Sequence, residues 1–132
     1  LSGPWLSDVL RGKKTPIKSA LLDQRLIAGL GNIYVNEALH MSGISPRRLA
    51  QTIAGKRAEK LVIAIRTVLA AAIEAGGTSL RDHVQPGGEI GYFVQRLSVY
   101  GRTSEPCLTC ATPIKELRQS GRASFYCPSC QR

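Results

Sequence analysis

The longest regular pattern in the chain runs from Lys56 to Ala75. Ala58, Leu61, Val62, Ile65, Val68, Leu69, Ala72 and Ile73 recur every three or four residues, with Lys60, Thr67 and Glu74 on the other face. This rhythm gives a helix one apolar stripe, and Gly76-Gly77 ends it. Shorter patterns precede it. Trp5, Leu6, Val9 and Leu10 keep helical spacing after Ser2-Gly3-Pro4, a start signal with proline in the first turn. Arg11-Gly12-Lys13-Lys14 makes a basic turn, and Thr15-Pro16 opens a second helix expected to reach Ile27, with Thr15 as its cap. Gly29 and Gly31 bracket Leu30 in a tight turn, and Asn32 is placed to cap a third helix, from Ile33 to about Met41, that Gly43 closes. Ser45-Pro46-Arg47-Arg48-Leu49 predicts one further short helix.

Periodicity then changes. Arg81 to Tyr92 holds Gln85-Pro86-Gly87-Gly88-Glu89-Ile90-Gly91, too rich in Gly and Pro for a regular element, and reads as a surface loop long enough to be a mobile lid. Phe93 to Tyr100 alternates like a strand. Ile114 to Leu117 and Ala123 to Tyr126 read as a hairpin turned by Gln119-Ser120-Gly121-Arg122, which puts Arg122 at its tip. The expected fold is mainly α with a small C-terminal β unit, divided into 1–92 and 93–132.

That β unit carries all four cysteines, as Cys107-Leu108-Thr109-Cys110 and Cys127-Pro128-Ser129-Cys130, with sixteen residues between the pairs. Two CxxC pairs at this spacing suit tetrahedral Zn²⁺. Four sulfur ligands leave no place for a catalytic water, so the zinc is expected to be structural. The other use, two disulfides, needs an oxidising compartment, and Leu1-Ser2-Gly3-Pro4-Trp5 has no basic region followed by an apolar run.

Charge adds a partner. Against 18 Lys+Arg stand 9 Asp+Glu, a net of +9, and the excess is uneven. Residues 1–57 carry +6, residues 58–101 carry zero and residues 102–132 carry +3. Two basic segments flanking a neutral middle fit a polyanion held from two directions, with nucleic acid as the usual candidate. The amide groups at the helix start near Asn32, with Lys13, Lys14 and Lys18 close in sequence, are a candidate phosphate seat; the plainer use of Asn32 is as a cap alone. Arg122 is a candidate probe from the other side. No apolar run approaches the roughly twenty residues of a membrane span. His40 and His83 read as ordinary, and no nucleophile elbow, phosphate-binding loop, HExxH or dinucleotide fingerprint occurs.

The motifs Leu21-Leu22-Asp23-Gln24, Ala28-Gly29-Leu30-Gly31-Asn32-Ile33-Tyr34, Tyr92-Phe93, Val99-Tyr100-Gly101-Arg102, Glu105-Pro106-Cys107 and Gly121 to Gln131 stand in a specific order. Together they resemble the C-terminal half of the bacterial formamidopyrimidine-DNA glycosylases, from about Leu10 to Gln131. The resemblance implies a helix–two-turn–helix domain followed by a zinc ribbon, both gripping the DNA backbone. It also implies excision of oxidised purines such as 8-oxoguanine and formamidopyrimidines, with the lesion flipped from the stack and the strand cut at the abasic site. Carried onto this chain, Asn32 beside Gly31 and Arg122 would clamp the phosphates flanking the lesion. Lys18 would reach the same region, and Lys13 or Lys14 would touch the backbone nearby. Arg122 would also serve the δ-elimination step, and Gln85 to Phe93 would lie in the loop closing over the flipped base.

Two turn positions depart from the family pattern: Thr103-Ser104 and Ala111 stand where glycine is common. The family's nucleophile is an N-terminal proline amine on a β-rich domain, whereas this chain opens Leu1-Ser2-Gly3. The expectation is therefore that the β-rich catalytic domain is absent from these residues. The parent would be a glycosylase and abasic-site lyase, and this portion would bind DNA without cutting it. The expected partner is duplex DNA with a damaged base or abasic site, held by a monomer in the bacterial cytoplasm at the nucleoid. The alternatives are a stand-alone zinc-ribbon nucleic-acid module, a ribbon for protein contacts, and an endonuclease VIII-like enzyme for oxidised pyrimidines.

Overall fold

The computed structural model describes residues 1–74 and 97–132. The Gly76-Gly77 helix stop, the 81–92 loop, His83, the start of the 93–100 strand and the 92/93 domain boundary lie outside the described residues.

Helix α1 spans Gly3–Leu10, with the Trp5 N–H donating to Ser2 Oγ at 3.2 Å and Pro4 in the first turn. Helix α2 covers only Ile17–Leu22. Thr15 does not cap it: the cap position is Pro16, with no side-chain bond. The expected run to Ile27 stops because Asp23 turns back on the chain, its Oδ1 accepting the Arg25 N–H at 2.9 Å. Helix α3 spans Asn32–Ser42 and ends at Gly43, whose φ of 73° is left-handed. Gly31, not Asn32, holds its cap position.

The short helix expected to begin at Ser45–Leu49 does not start there. The backbone there pairs instead with the strand-like lead into α2, through Ile17 N–H to Arg48 O at 2.7 Å and Ala50 N–H to Thr15 O at 2.8 Å. A single 3₁₀ turn, Ala50–Thr52, follows. Helix α4, Lys56–Glu74, lies against α1 and α3. Its buried residues are Ala58, Leu61, Val62, Ala64, Ile65, Val68 and Ala72. Ile73, expected on that stripe, is 80% exposed on the last described turn, where no described element covers it.

Helix α3 is the hub of this bundle, buried from Tyr34 through Leu39. Leu6, Leu21, Leu30, Leu39 and Leu61 close an aliphatic core around it, each contributing about 2 kcal/mol by leaving water.

Strands β1 (Lys115–Gln119) and β2 (Arg122–Tyr126) form an antiparallel hairpin, with Lys115 opposite Tyr126 and Gln119 opposite Arg122. Val99, Ile114 and Phe125 make a second small core, and Tyr100 meets Phe125 edge-on at 4.8 Å. Leu97–Tyr100 was expected to end a strand; it is a bend. Its backbone is taken by Glu37 on α3, whose carboxylate accepts the N–H groups of Ser98 (2.7 Å), Val99 (3.0 Å) and Tyr100 (3.0 Å).

Candidate nucleic-acid interface and metal centre

The hairpin is stitched to the helices along the outer edge of β2. A hairpin strand has one row of backbone groups with no strand to pair with, and those groups need partners. Asn36 on α3 accepts the Phe125 N–H at 2.7 Å through Oδ1 and donates to Asn32 O at 2.8 Å. The Ala123 carbonyl accepts from Lys18 Nζ at 2.9 Å, from Asn32 Nδ2 at 3.1 Å and, more distantly, from Asn36. Lys18 Nζ also donates to Ser124 Oγ at 2.7 Å, and Ser124 Oγ donates to Gln119 Oε1 at 2.6 Å.

This seam gathers Lys18, Gly31, Asn32 and Arg122 in one place. Arg122 and Gly31 face each other across a cleft of about 350 Å³, whose other walls are Leu22, Gln24, Gly29 and Leu30. The Gly29–Gly31 turn is braced by Gln24. Its Oε1 accepts the Gly29 N–H at 2.8 Å, while Nε2 donates to the carbonyls of Leu22 (3.2 Å) and Leu30 (3.1 Å). Gly29 has φ 87°, which suits a residue without Cβ. Gln24 therefore holds both turns of the connection rigid; its type and position in the Leu-Leu-Asp-Gln motif were the only trace of this in the sequence.

The cleft is electropositive and offers unused donors. Arg122 is exposed and has no hydrogen-bond or ion-pair partner among the described residues. Lys18 is 1% exposed, and its pKa is pushed down to about 8, first by burial and then by the charge of Arg122. Lys18 lies behind the cleft and does not line it. Asn32 Oδ1, an acceptor, is buried with no hydrogen-bond partner among the described residues, so only Nδ2 of this side chain can donate to an anion. Lys13 and Lys14 stand exposed on the turn ahead of α2 and do not line the cleft. Lys18 is a strut between helix and ribbon, beside the region it was expected to reach.

At the other end of the hairpin the four cysteine Sγ atoms lie within 4.8 Å of one another. Cys110 is 3.5 Å from both Cys127 and Cys130, and Cys107 is 3.9 Å from Cys130. A tetrahedral zinc with Zn–S bonds of about 2.3 Å sets its sulfurs roughly 3.8 Å apart; a disulfide needs about 2.05 Å. The donor set fits one zinc and all four cysteines are free thiols. Backbone amides aim at the sulfurs: Thr109 N–H reaches Cys107 Sγ at 3.4 Å and Cys130 N–H reaches Cys127 Sγ at 3.3 Å. Thiols this close cannot titrate alike. Hydrogen bonding from Thr112 draws Cys110 down to about 6, while its bond with Cys110 drives Cys130 up to about 12. A divalent cation removes the conflict by holding all four as thiolates.

His40, which looked ordinary in the sequence, sits against this centre with Nε2 3.6 Å from Cys107 Sγ. Burial lowers its pKa, so the neutral ring faces the sulfur. Ser104 and Ala111, the two turn positions that depart from glycine, adopt φ of 70° and 65°. The glycine expectation there had a steric basis.

The chain is thus a helix–two-turn–helix bundle docked on a four-cysteine ribbon, with a basic cleft between them. The chain matches the formamidopyrimidine-DNA glycosylase H2TH domain over residues 3–84 and the zinc finger found in FPG and IleRS over residues 104–132. The chain belongs to the formamidopyrimidine-DNA glycosylase family. It is 57% identical over 132 residues to the formamidopyrimidine-DNA glycosylase of Rhizorhabdus wittichii, covering all of this chain and 48% of that protein. It is 59% identical to that of Rhodospirillum centenum, covering 96% of this chain and 46% of that one. Among solved structures, the MutM (Fpg) protein from Thermus thermophilus matches with a TM-score of 0.87 at 42% identity, over 98% of this chain and 50% of that one. The Lactococcus lactis Fpg bound to abasic-site DNA matches with 0.87 at 34%, over 99% and 47%. The chain thus spans about half the length of these relatives. No helix among the described residues is long and apolar enough to cross a membrane.

Proposed function

We propose that these residues are the DNA-gripping portion of a base-excision-repair glycosylase that removes oxidised purines and cuts the strand at the resulting abasic site. The observation that carries this reading is the cleft between the braced Gly29–Gly31 turn and Arg122, with Lys18 and Asn32 joining its two walls. A phosphate seated there meets the amide N–H groups at the start of α3, the Asn32 side chain and a two-pronged guanidinium. Such a clamp on the backbone beside a flipped nucleotide pays part of the unstacking cost. Arg122, the unpaired cation of the cleft, is also the group assigned to the δ-elimination step. Lys13 and Lys14 add backbone charge from the neighbouring turn. The zinc does no chemistry; it shapes the finger that presents Arg122. The protein works as a cytoplasmic monomer in this reading, and these residues on their own bind DNA without cutting it.

The test is binding of the zinc-loaded protein to duplexes with and without a tetrahydrofuran abasic analogue. The expected result is preference for the abasic duplex, with a clear loss on Arg122→Ala or Asn32→Ala and a salt slope lowered by about 0.9 for the lost phosphate contact. Equal affinity for both duplexes, unchanged by Arg122→Ala, would refute the reading.

A further inference from the structure

The helix–ribbon seam has a second basic cleft that the clamp does not use. It encloses about 400 Å³ and is lined by Ser45, Arg47, Arg48, Thr52, Tyr126 and Arg132, together with Leu49. Three arginines line it and no acidic side chain does. Lys115 lies directly across the ladder from Tyr126, so its side chain leaves the sheet on the same face.

The arginines are not equivalent. Arg48 is fixed, donating from Nε to the Arg132 carbonyl at 2.9 Å and from Nη1 to Thr52 Oγ1 at 3.4 Å. The Arg47 side chain is exposed and has no partner among the described residues. One arginine is thus held in place while another is free to close on a ligand.

This cleft adjoins the clamp. Gln119, the ladder partner of Arg122, donates to Pro46 O at 3.1 Å, which pins the residue before Arg47 beside the hairpin tip. Along β2 the step from Arg122 to Tyr126 is four residues, roughly 13 Å.

We infer that Arg47, Arg48 and Arg132 form an accessory phosphate site that holds the duplex backbone outside the clamped stretch. The ligand chemistry is a phosphodiester, read without base contacts. Such a site adds affinity in proportion to charge neutralised and carries no sequence or lesion information. The inference rests on the clamp reading above, because the clamp sets where the duplex runs.

The experiment measures binding of the zinc-loaded protein to abasic-analogue duplexes whose arms are either about three or about ten base pairs on each side of the analogue. Arg47→Ala and Arg47→Glu are suitable variants, since the side chain makes no bond that folding needs. The expected result is several-fold weaker binding to the long duplex, more for the Glu variant, with the salt slope lowered by about 1. Binding to the short duplex stays at the wild-type value. Unchanged binding to both lengths, with Arg122→Ala still deleterious, overturns the accessory site and leaves the clamp standing. Equal weakening on both lengths also overturns it, since the contact would then lie inside the clamped stretch. If Arg122→Ala has no effect on either duplex, clamp and accessory site fall together.

Discussion

Replacing Lys18 by Met tests whether the strut between helix and ribbon carries a charge at a cost. Lys18 is 1% exposed and its pKa stands at about 8, against 10.5 for a free lysine. The folded state therefore binds fewer protons than the unfolded state between those values, so stability from this group rises with pH across the window. At pH 7 both states hold the proton and the protein bears the full penalty of the buried charge. By pH 9.5 the folded amine has lost its proton while the unfolded one keeps it, a gap of about 1.5 pKa units or about 2 kcal/mol. The variant keeps the fold: Ala123 O still accepts from Asn32, and Ser124 Oγ still donates to Gln119. Denaturant unfolding of the zinc-saturated proteins from pH 7 to 9.5 gives the assay. Wild-type stability minus Lys18→Met stability should climb by about 2 kcal/mol over that range. A flat or falling difference would show that Lys18 is not held below its ordinary pKa, and the account of the seam would fail.

Asn36→Leu should leave the Phe125 N–H buried without an acceptor and cost about 2 kcal/mol in denaturant unfolding. His40→Phe should weaken zinc retention roughly tenfold, read as faster transfer to a chromogenic chelator, because a partner behind the Cys107 sulfur is lost. Ala111→Gly should raise the thermal midpoint, relieving about 1 kcal/mol of left-handed strain at φ 65°. A drop in that midpoint would mean that the turn is not strained.

Short-range signals survived folding well. Ser2-Gly3-Pro4 starts α1 and Gly43 ends α3, because each depends on residues a few positions apart, and the two CxxC pairs converge across a single hairpin of sixteen residues. The same locality explains the errors. Thr15 and Asn32 have the chemistry of caps, but the cap positions fall to Pro16 and Gly31, and Asn32 reaches across to Ala123 instead. The residues that join the two halves were the least legible. Lys18 meets Ser124 across 106 positions and Glu37 meets Val99 across 62, and no periodicity records such pairs. The burial of Lys18 against the hairpin was invisible for this reason, and His40 looked ordinary until Cys107 was seen beside it. The basic cleft was anticipated as two patches of charge; that they close on one seam required the fold.

The polar stitching on β2 has a further consequence. A two-stranded hairpin offers two open borders, and either can recruit a foreign strand. Asn36, Asn32 and Lys18 occupy the border of β2, while Lys115, Glu116 and Arg118 put charge along β1. The contacts that aim Arg122 therefore also keep the finger from polymerising. If the metal is lost and the finger swings away from α3, the sealed border opens. Zinc depletion would then be a route to aggregation as well as to lost grip.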